Sequence, residues 1–146
     1  MSEQNIDQIV SRLAAKDEIR ELTARYCHAV VDGDADSIVR LFCQDGAFKA
    51  HTFVSRGHRA LQKFYHDGVG GKTHKPFVQN HVIEFESDSE AFGRCSVEIR
   101  VLQDGEAYTQ SGHYNDRYRK EQGAWRFAER QYQRYHNAPW RKGWQK

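Results

Sequence analysis

The sequence predicts an α+β fold in which helices lead and a curved antiparallel sheet follows. Apolar residues recur at spacings of three and four through the first forty positions, and from Phe77 onward the period changes to two. Turn-like joints, "SDS", "QDG" and "EQG", separate four successive strand candidates. Helices before an antiparallel meander is the α+β pattern. A single curved sheet with helices on one face makes a cone, and its open end is a pocket between the long first helix and the sheet.

The elements follow in order. Ile6, Ile9, Val10 and Leu13 share helical spacing, and Ile19, Leu22, Tyr26 and Ala29 continue a stripe, with Lys16 and Asp17 as a break between two helical pieces. Asp32-Gly33 fits a helix end, with Gly33 supplying the left-handed cap. Asp34 or Asp36 then caps a short helix, "ADSIVRLF". Asp45 to Phe53 reads as a first strand, and Arg59 to Gly68 as a helix whose apolar face is Leu61, Phe64 and Tyr65. The glycine-rich stretch at 68–71 is a loop that could close as a lid. The four later strands run Phe77 to Glu86, Glu90 to Gly105, Ala107 to Lys120 and Ala124 to His136. In the second of these, Cys95, Val97, Ile99 and Val101 alternate with Arg94, Ser96, Glu98 and Arg100, so one sheet face is buried and the other wet. The tail, "APWRKGWQK", is basic and carries two tryptophans that suggest docking.

At 146 residues the chain suits one domain, residues 1–146, large enough for a core without staples. A net charge of +2 gives no support for nucleic-acid binding. No apolar run reaches the roughly 18 residues of a membrane span, and "MSEQNIDQIV" lacks the features of a signal peptide, so the expected location is the cytoplasm. Cys27, Cys43 and Cys95 form no CxxC and read as buried thiols. Eight histidines occur without HxH or HxxxH spacing, which argues against a metal site.

Three stretches, "IRELTARYCHAVVDGDADSIVRLF", "NHVIEFESDSEAFGRCSVEIR" and "SGHYNDRYRKEQGAWRFAER", resemble the SnoaL-like branch of the nuclear-transport-factor-2-like superfamily. That branch is related to scytalone dehydratase, bile acid 7α-dehydratase and hexachlorocyclohexane dehydrochlorinase, and more distantly to ketosteroid isomerase. The resemblance implies an apolar pocket, a homodimer or homotrimer, a small-molecule substrate, and proton-transfer chemistry without cofactor or metal. It implies a dehydratase-like lyase on a small apolar, cyclic or aromatic hydroxylated compound, with a ketosteroid-isomerase-like isomerase or a non-catalytic ligand-binding or small-subunit protein as alternatives.

The resemblance also implies a Tyr, Asp and His set. Tyr26 matches the family tyrosine, but five residues on, where the family places its acid, stands Val31, with Asp32 one position late. One helical step turns a side chain by about 100°, so Asp32 reaches the pocket only if the helix loosens near Gly33. The family histidine precedes the asparagine matched by Asn80, and its place falls on Pro76; many relatives carry histidine where this chain has Gln79. By strand alternation His81 and Gln79 both face inward, if no bulge intervenes. His81 as base or acid, Tyr26 as hydrogen-bond donor and Asp32 as orienting carboxylate are the candidate catalytic residues. Phe48, Gln79, Asn80, His113 and Arg134 are the candidate substrate-binding residues. His113 alternates with Tyr114, so only one of the two faces the pocket. Arg130, Tyr132 and Arg134 share one strand face, where an inward arginine could hold a carboxylate or a developing oxyanion. The resemblance to the bile acid dehydratase singles out Arg134.

Overall fold

The computed structural model describes residues 2–69 and 73–143. Helix α1 (Glu3–Asp32) leads, followed by α2 (Ala35–Arg40), β1 (Phe42–Ala50), β2 (Phe53–Arg56), α3 (His58–Val69), β3 (Lys75–Phe85), β4 (Glu90–Gln103), β5 (Glu106–Glu121) and β6 (Ala124–Pro139). A single 3-10 turn, Trp140–Lys142, closes the described chain. The six strands form one sheet in the order β2-β1-β6-β5-β4-β3. All neighbours are antiparallel except β1 and β6, which run parallel. The sheet is therefore mixed and open, with the helices on its inner face. Gly70, Gly71 and the second tail tryptophan, which figured in the lid and docking expectations, lie outside the described residues.

Local chemistry explains most boundaries. The Ser2 side chain accepts from the Asn5 N–H to start α1, and Gly33, at φ 67°, ends it. The Asp34 side chain caps α2 through the Ser37 N–H. Asp104-Gly105 and Gln122-Gly123 have positive φ at both positions, as two-residue hairpins between right-twisted strands require.

Two expectations are corrected. No break occurs at Lys16 and Asp17, because α1 is continuous from Glu3 to Asp32; neither residue is a strong breaker. The strand expected over Asp45 to Phe53 is instead a hairpin, β1 and β2, whose short second arm has too few residues to show alternation.

The core lies between α1, α3 and the inner sheet face. Ile19, Leu22, Tyr26 and Val30 of α1 meet Leu61 and Tyr65 of α3 and Cys95, Val97, Tyr114, Tyr118 and Phe127 of the sheet. Glu18 pins α1 to the start of β6 by accepting from the Trp125 N–H at 3.1 Å.

Candidate active site

The inner face carries a buried polar chain amid aromatic rings. Asp116 of β5 and Arg130 of β6 are register partners across the sheet. Their side chains are fully buried and meet through two bonds, Arg130 Nε to Asp116 Oδ1 and Nη2 to Oδ2, each 2.9 Å. A fork-to-fork pair of this kind fixes both groups in plane as well as in charge. Burial opposes the arginine's charge, but Asp116 outweighs it and keeps Arg130 firmly protonated.

Aromatic rings complete the guanidinium's surroundings. Its carbon lies 3.8 Å from the Tyr114 ring centre and 4.4 Å from those of Tyr26 and Phe127. Among the described residues, its buried Nη1 has no hydrogen-bond partner. An unmade bond on a buried cation is costly, so this N–H is a ready donor to a water or ligand oxygen.

The chain continues outward from Asp116. Tyr118 donates to Asp116 Oδ2 at 3.0 Å, and His81 Nε2 lies 2.9 Å from the same hydroxyl. A phenol has one proton, and Tyr118 gives it to the carboxylate. Its oxygen must then accept from His81 Nε2–H, which leaves the lone pair on Nδ1. Burial pushes His81 down to about 4, partly offset by Asp116, so the ring is neutral near pH 7. Gly93 makes room for this arrangement: a Cβ there would come within 2.5 Å of the Val82 carbonyl oxygen and 3.3 Å of the Tyr118 ring.

Tyr26 lies at the centre of the aromatic layer, its hydroxyl 3.0 Å from that of Tyr65. Burial raises both phenols above the ordinary range, so each remains a protonated donor. Burial likewise pushes the Cys95 thiol up to about 12, which keeps it un-ionised beside Arg130. Phe48 belongs to the same layer, stacked on Phe64 at 5.0 Å and edge-on to Tyr65.

The structure therefore brings Tyr26, His81 and Phe48 to the inner side and separates the other candidates from them. Asp32 is exposed, on a helix end that stays regular: the Gly33 N–H reaches Val30 O and the Asp34 N–H reaches Ala29 O. With no loosening at Gly33, Asp32 does not swing inward. Gln79 and Asn80 also face away. A bulge shifts the β3–β4 register between Gln79 and Val82, with Asn80 at φ 54°. Gln79 sits opposite Ser96 on the outer face, and Asn80 Nδ2 reaches the Ser96 hydroxyl at 3.3 Å. The extra residue returns His81 to the inner face, so the expected pairing of Gln79 with His81 fails at the bulge.

His113 resolves in the same way. Tyr114 takes the inner position, and His113 lies on the outer face, bonded to Tyr135 and Asn115. Arg134 lies on the inner-facing row of β6 but is exposed beyond Tyr132.

Asp116, Tyr118 and Tyr65 are residues of this inner-face cluster that the sequence pattern does not single out, and it raises Arg130 only as a neighbour of Arg134. One signal was available for Asp116. It falls between Tyr114 and Tyr118 at a spacing of two, an acid on an aromatic face, with an arginine on the next strand.

The comparisons agree with this architecture. The chain matches the SnoaL-like domain family over residues 11–131. No curated protein matches it. Among solved structures, a Mycobacterium tuberculosis protein of unknown function is similar at 26% identity and TM-score 0.78, covering 93% of this chain and 78% of that one. A Novosphingobium aromaticivorans protein named as a candidate scytalone dehydratase superposes at TM-score 0.83 with 21% identity, over 90% and 91% of the two chains. The hexachlorocyclohexane dehydrochlorinase of Novosphingobium barchaimii superposes at TM-score 0.80 with 16% identity, over 89% and 92%. At these last two identities the likeness is one of fold, and the family match rests on the sequence itself: the chain belongs to the SnoaL-like domain family.

Proposed function

We propose that the protein is a cofactor-independent lyase of the dehydratase type, acting on a small apolar, cyclic or aromatic hydroxylated compound. The observation that carries this reading is the chain His81–Tyr118–Asp116–Arg130, buried from Tyr118 inward, which ends in a half-buried histidine whose free nitrogen is a base and a guanidinium with an unused donor. The lyase names among proteins of the same fold support it. In this reading His81 Nδ1 removes a proton from carbon next to an activating carbonyl. The C–H electron pair forms the double bond, and the neighbouring C–O bond breaks. Arg130 Nη1 holds the carbonyl oxygen as negative charge develops on it. The Tyr26 and Tyr65 pair supplies the proton that lets the departing oxygen leave as water. Asp116 and Tyr118 are positioning residues, setting the His81 tautomer as a carboxylate does in other histidine bases.

The test is turnover of a panel of β-hydroxy carbonyl compounds, followed by the absorbance of the conjugated product. His81→Ala is expected to lower turnover by about 10²- to 10⁴-fold with an unchanged circular-dichroism spectrum. A fully active His81→Ala protein sinks the assignment.

A second reading, a ligand-binding module without chemistry, is favoured by one feature. The positions where the family carries its acid and histidine hold Val31 and Pro76, and Asp32 points to solvent. Tight binding of panel compounds with no product after long incubation supports that reading over the first.

A further inference from the structure

The outer face of the sheet carries a cleft of about 750 Å³, and the sheet itself separates it from the inner-face chain. That volume is in the range of small-molecule sites. The floor is the end of β4 and the start of β5, and one wall is the 3-10 turn that follows β6. The turn is anchored at two points. Arg141 Nε reaches Glu106 Oε1 at 2.8 Å, and the Trp140 ring centre lies 5.3 Å from the Arg100 guanidinium, which has the Phe77 ring at 5.2 Å. Trp140 is nevertheless 59% exposed, so its ring borders the cleft without filling it.

Strand register sets the floor. Glu98 stands opposite Ser111 and Arg100 opposite Thr109, all four on the outer face. Ser111 is 9% exposed, and its hydroxyl and that of Thr109 are buried without a hydrogen-bond partner among the described residues. Buried hydroxyls are seldom left so, because each loses its water without replacement. Here two stand on one strand, roughly 7 Å apart, below one cleft, so a single ring-sized molecule spans both. Charge selects among such molecules. Arg100 Nε bonds Glu98 Oε1 at 3.3 Å, so the floor holds both signs in balance. An anion meets Glu98, and a cation meets Arg100. A neutral molecule rich in hydroxyls avoids both penalties and either donates to or accepts from Ser111 and Thr109. Trp140 adds a flat apolar surface beside these polar groups, which suits the C–H face of a saturated ring.

The geometry points to a second ligand site in this cleft, for a neutral pyranose sugar. Ser111 and Thr109 hold its hydroxyls, Trp140 lies against its C–H face, and the Glu98–Arg100 pair disfavours charged sugars. The inner-face chain takes no part.

The full-length protein is titrated with methyl β-D-glucopyranoside and methyl β-D-galactopyranoside, with glucuronate and protonated glucosamine as charged counterparts. Binding is read by saturation-transfer NMR and calorimetry. At least one neutral glycoside is expected to bind, and both charged sugars at least about tenfold more weakly. Ser111→Ala and Trp140→Ala should each weaken binding by at least about tenfold with an unchanged circular-dichroism spectrum. Trp140→Tyr should retain most of the affinity, and His81→Ala all of it. Absence of binding by both neutral glycosides means that water alone satisfies the two hydroxyls, and overturns the inference. Equal affinity for a charged sugar, unchanged binding in Ser111→Ala or Trp140→Ala, or loss of binding in His81→Ala overturns it as well.

Discussion

Each face of the sheet carries a histidine paired with a tyrosine hydroxyl, and the two pairs differ in what stands behind them. On the inner face His81 bonds Tyr118, and Tyr118 passes the connection to Asp116 and the buried Arg130. On the outer face His113 bonds Tyr135, which is 56% exposed, and Asn115 at 3.1 Å, and Asn115 leads on only to the exposed Arg94 at 3.0 Å. Burial depresses both histidines, with Arg94 adding to the effect at His113. Depression alone therefore does not mark a working base. The difference is the buried ionic anchor, which holds the inner tyrosine and thereby decides which nitrogen of His81 bears the lone pair.

The largest effect should come from cutting the anchor. Arg130→Met or Asp116→Ala leaves an uncompensated charge in the core, with an expected loss of about 3–5 kcal/mol in chemical denaturation. Replacing both by apolar residues of similar volume should cost much less than the sum, whereas neutralising Arg117 and Glu86, an exposed pair, should cost at most about 1 kcal/mol. Equal losses from the buried and exposed pairs would erase the distinction drawn here.

Removing one hydroxyl from each histidine–tyrosine pair sharpens the comparison. Tyr118→Phe deletes a buried bond to a charged group and is expected to cost about 1.5–3 kcal/mol and to lower turnover of any substrate found for the site. Tyr135→Phe should cost under about 1 kcal/mol and leave turnover unchanged.

A pH titration probes the inner pair directly. His81 is held to about 4 in the folded protein and titrates near 6.5 when unfolded, so the unfolded chain binds more protons between these values. Its contribution to stability is complete above pH 6.5 and is lost as pH falls toward 4. Because the ring is only half-buried, the loss should not exceed about 2 kcal/mol. His81→Gln should flatten the stability profile over that window, and an unaltered profile would show that His81 is not held neutral by its surroundings.

The smallest effect concerns the bulge. Asn80 occupies a left-handed conformation that β-branched residues resist, so Asn80→Val should destabilise by about 1–2 kcal/mol. If the bulge slips out instead, His81 loses Tyr118, and the pH response described above should fall with it.

Much of the fold was legible from residue order. Alternation at Cys95, Val97, Ile99 and Val101 identified the buried face of β4, and "QDG" and "EQG" marked both tight hairpins. Helical spacing found Tyr26, and alternation raised the choice between His113 and Tyr114. The failures have local causes. One inserted residue at Asn80 reversed the facing of Gln79, because strand side chains alternate with period two. A regular Gly33 cap kept Asp32 in solvent. A continuous helix placed the Ile6–Leu13 stripe and the Ile19–Val30 stripe on different sides, where spacing alone had joined them.

The sequence by itself determined the class of fold, the family and the aromatic character of the interior, since these depend on periodicity and composition along the chain. Only the tertiary structure decided which carboxylate joins the buried chain on the inner face. Asp116 and Arg130 are fourteen positions apart, Tyr118 and His81 thirty-seven, and they meet through strand register and one bulge. Register is set by the packing of whole faces against α1, so no local pattern around Asp32 could have shown that the buried inner-face carboxylate comes from β5.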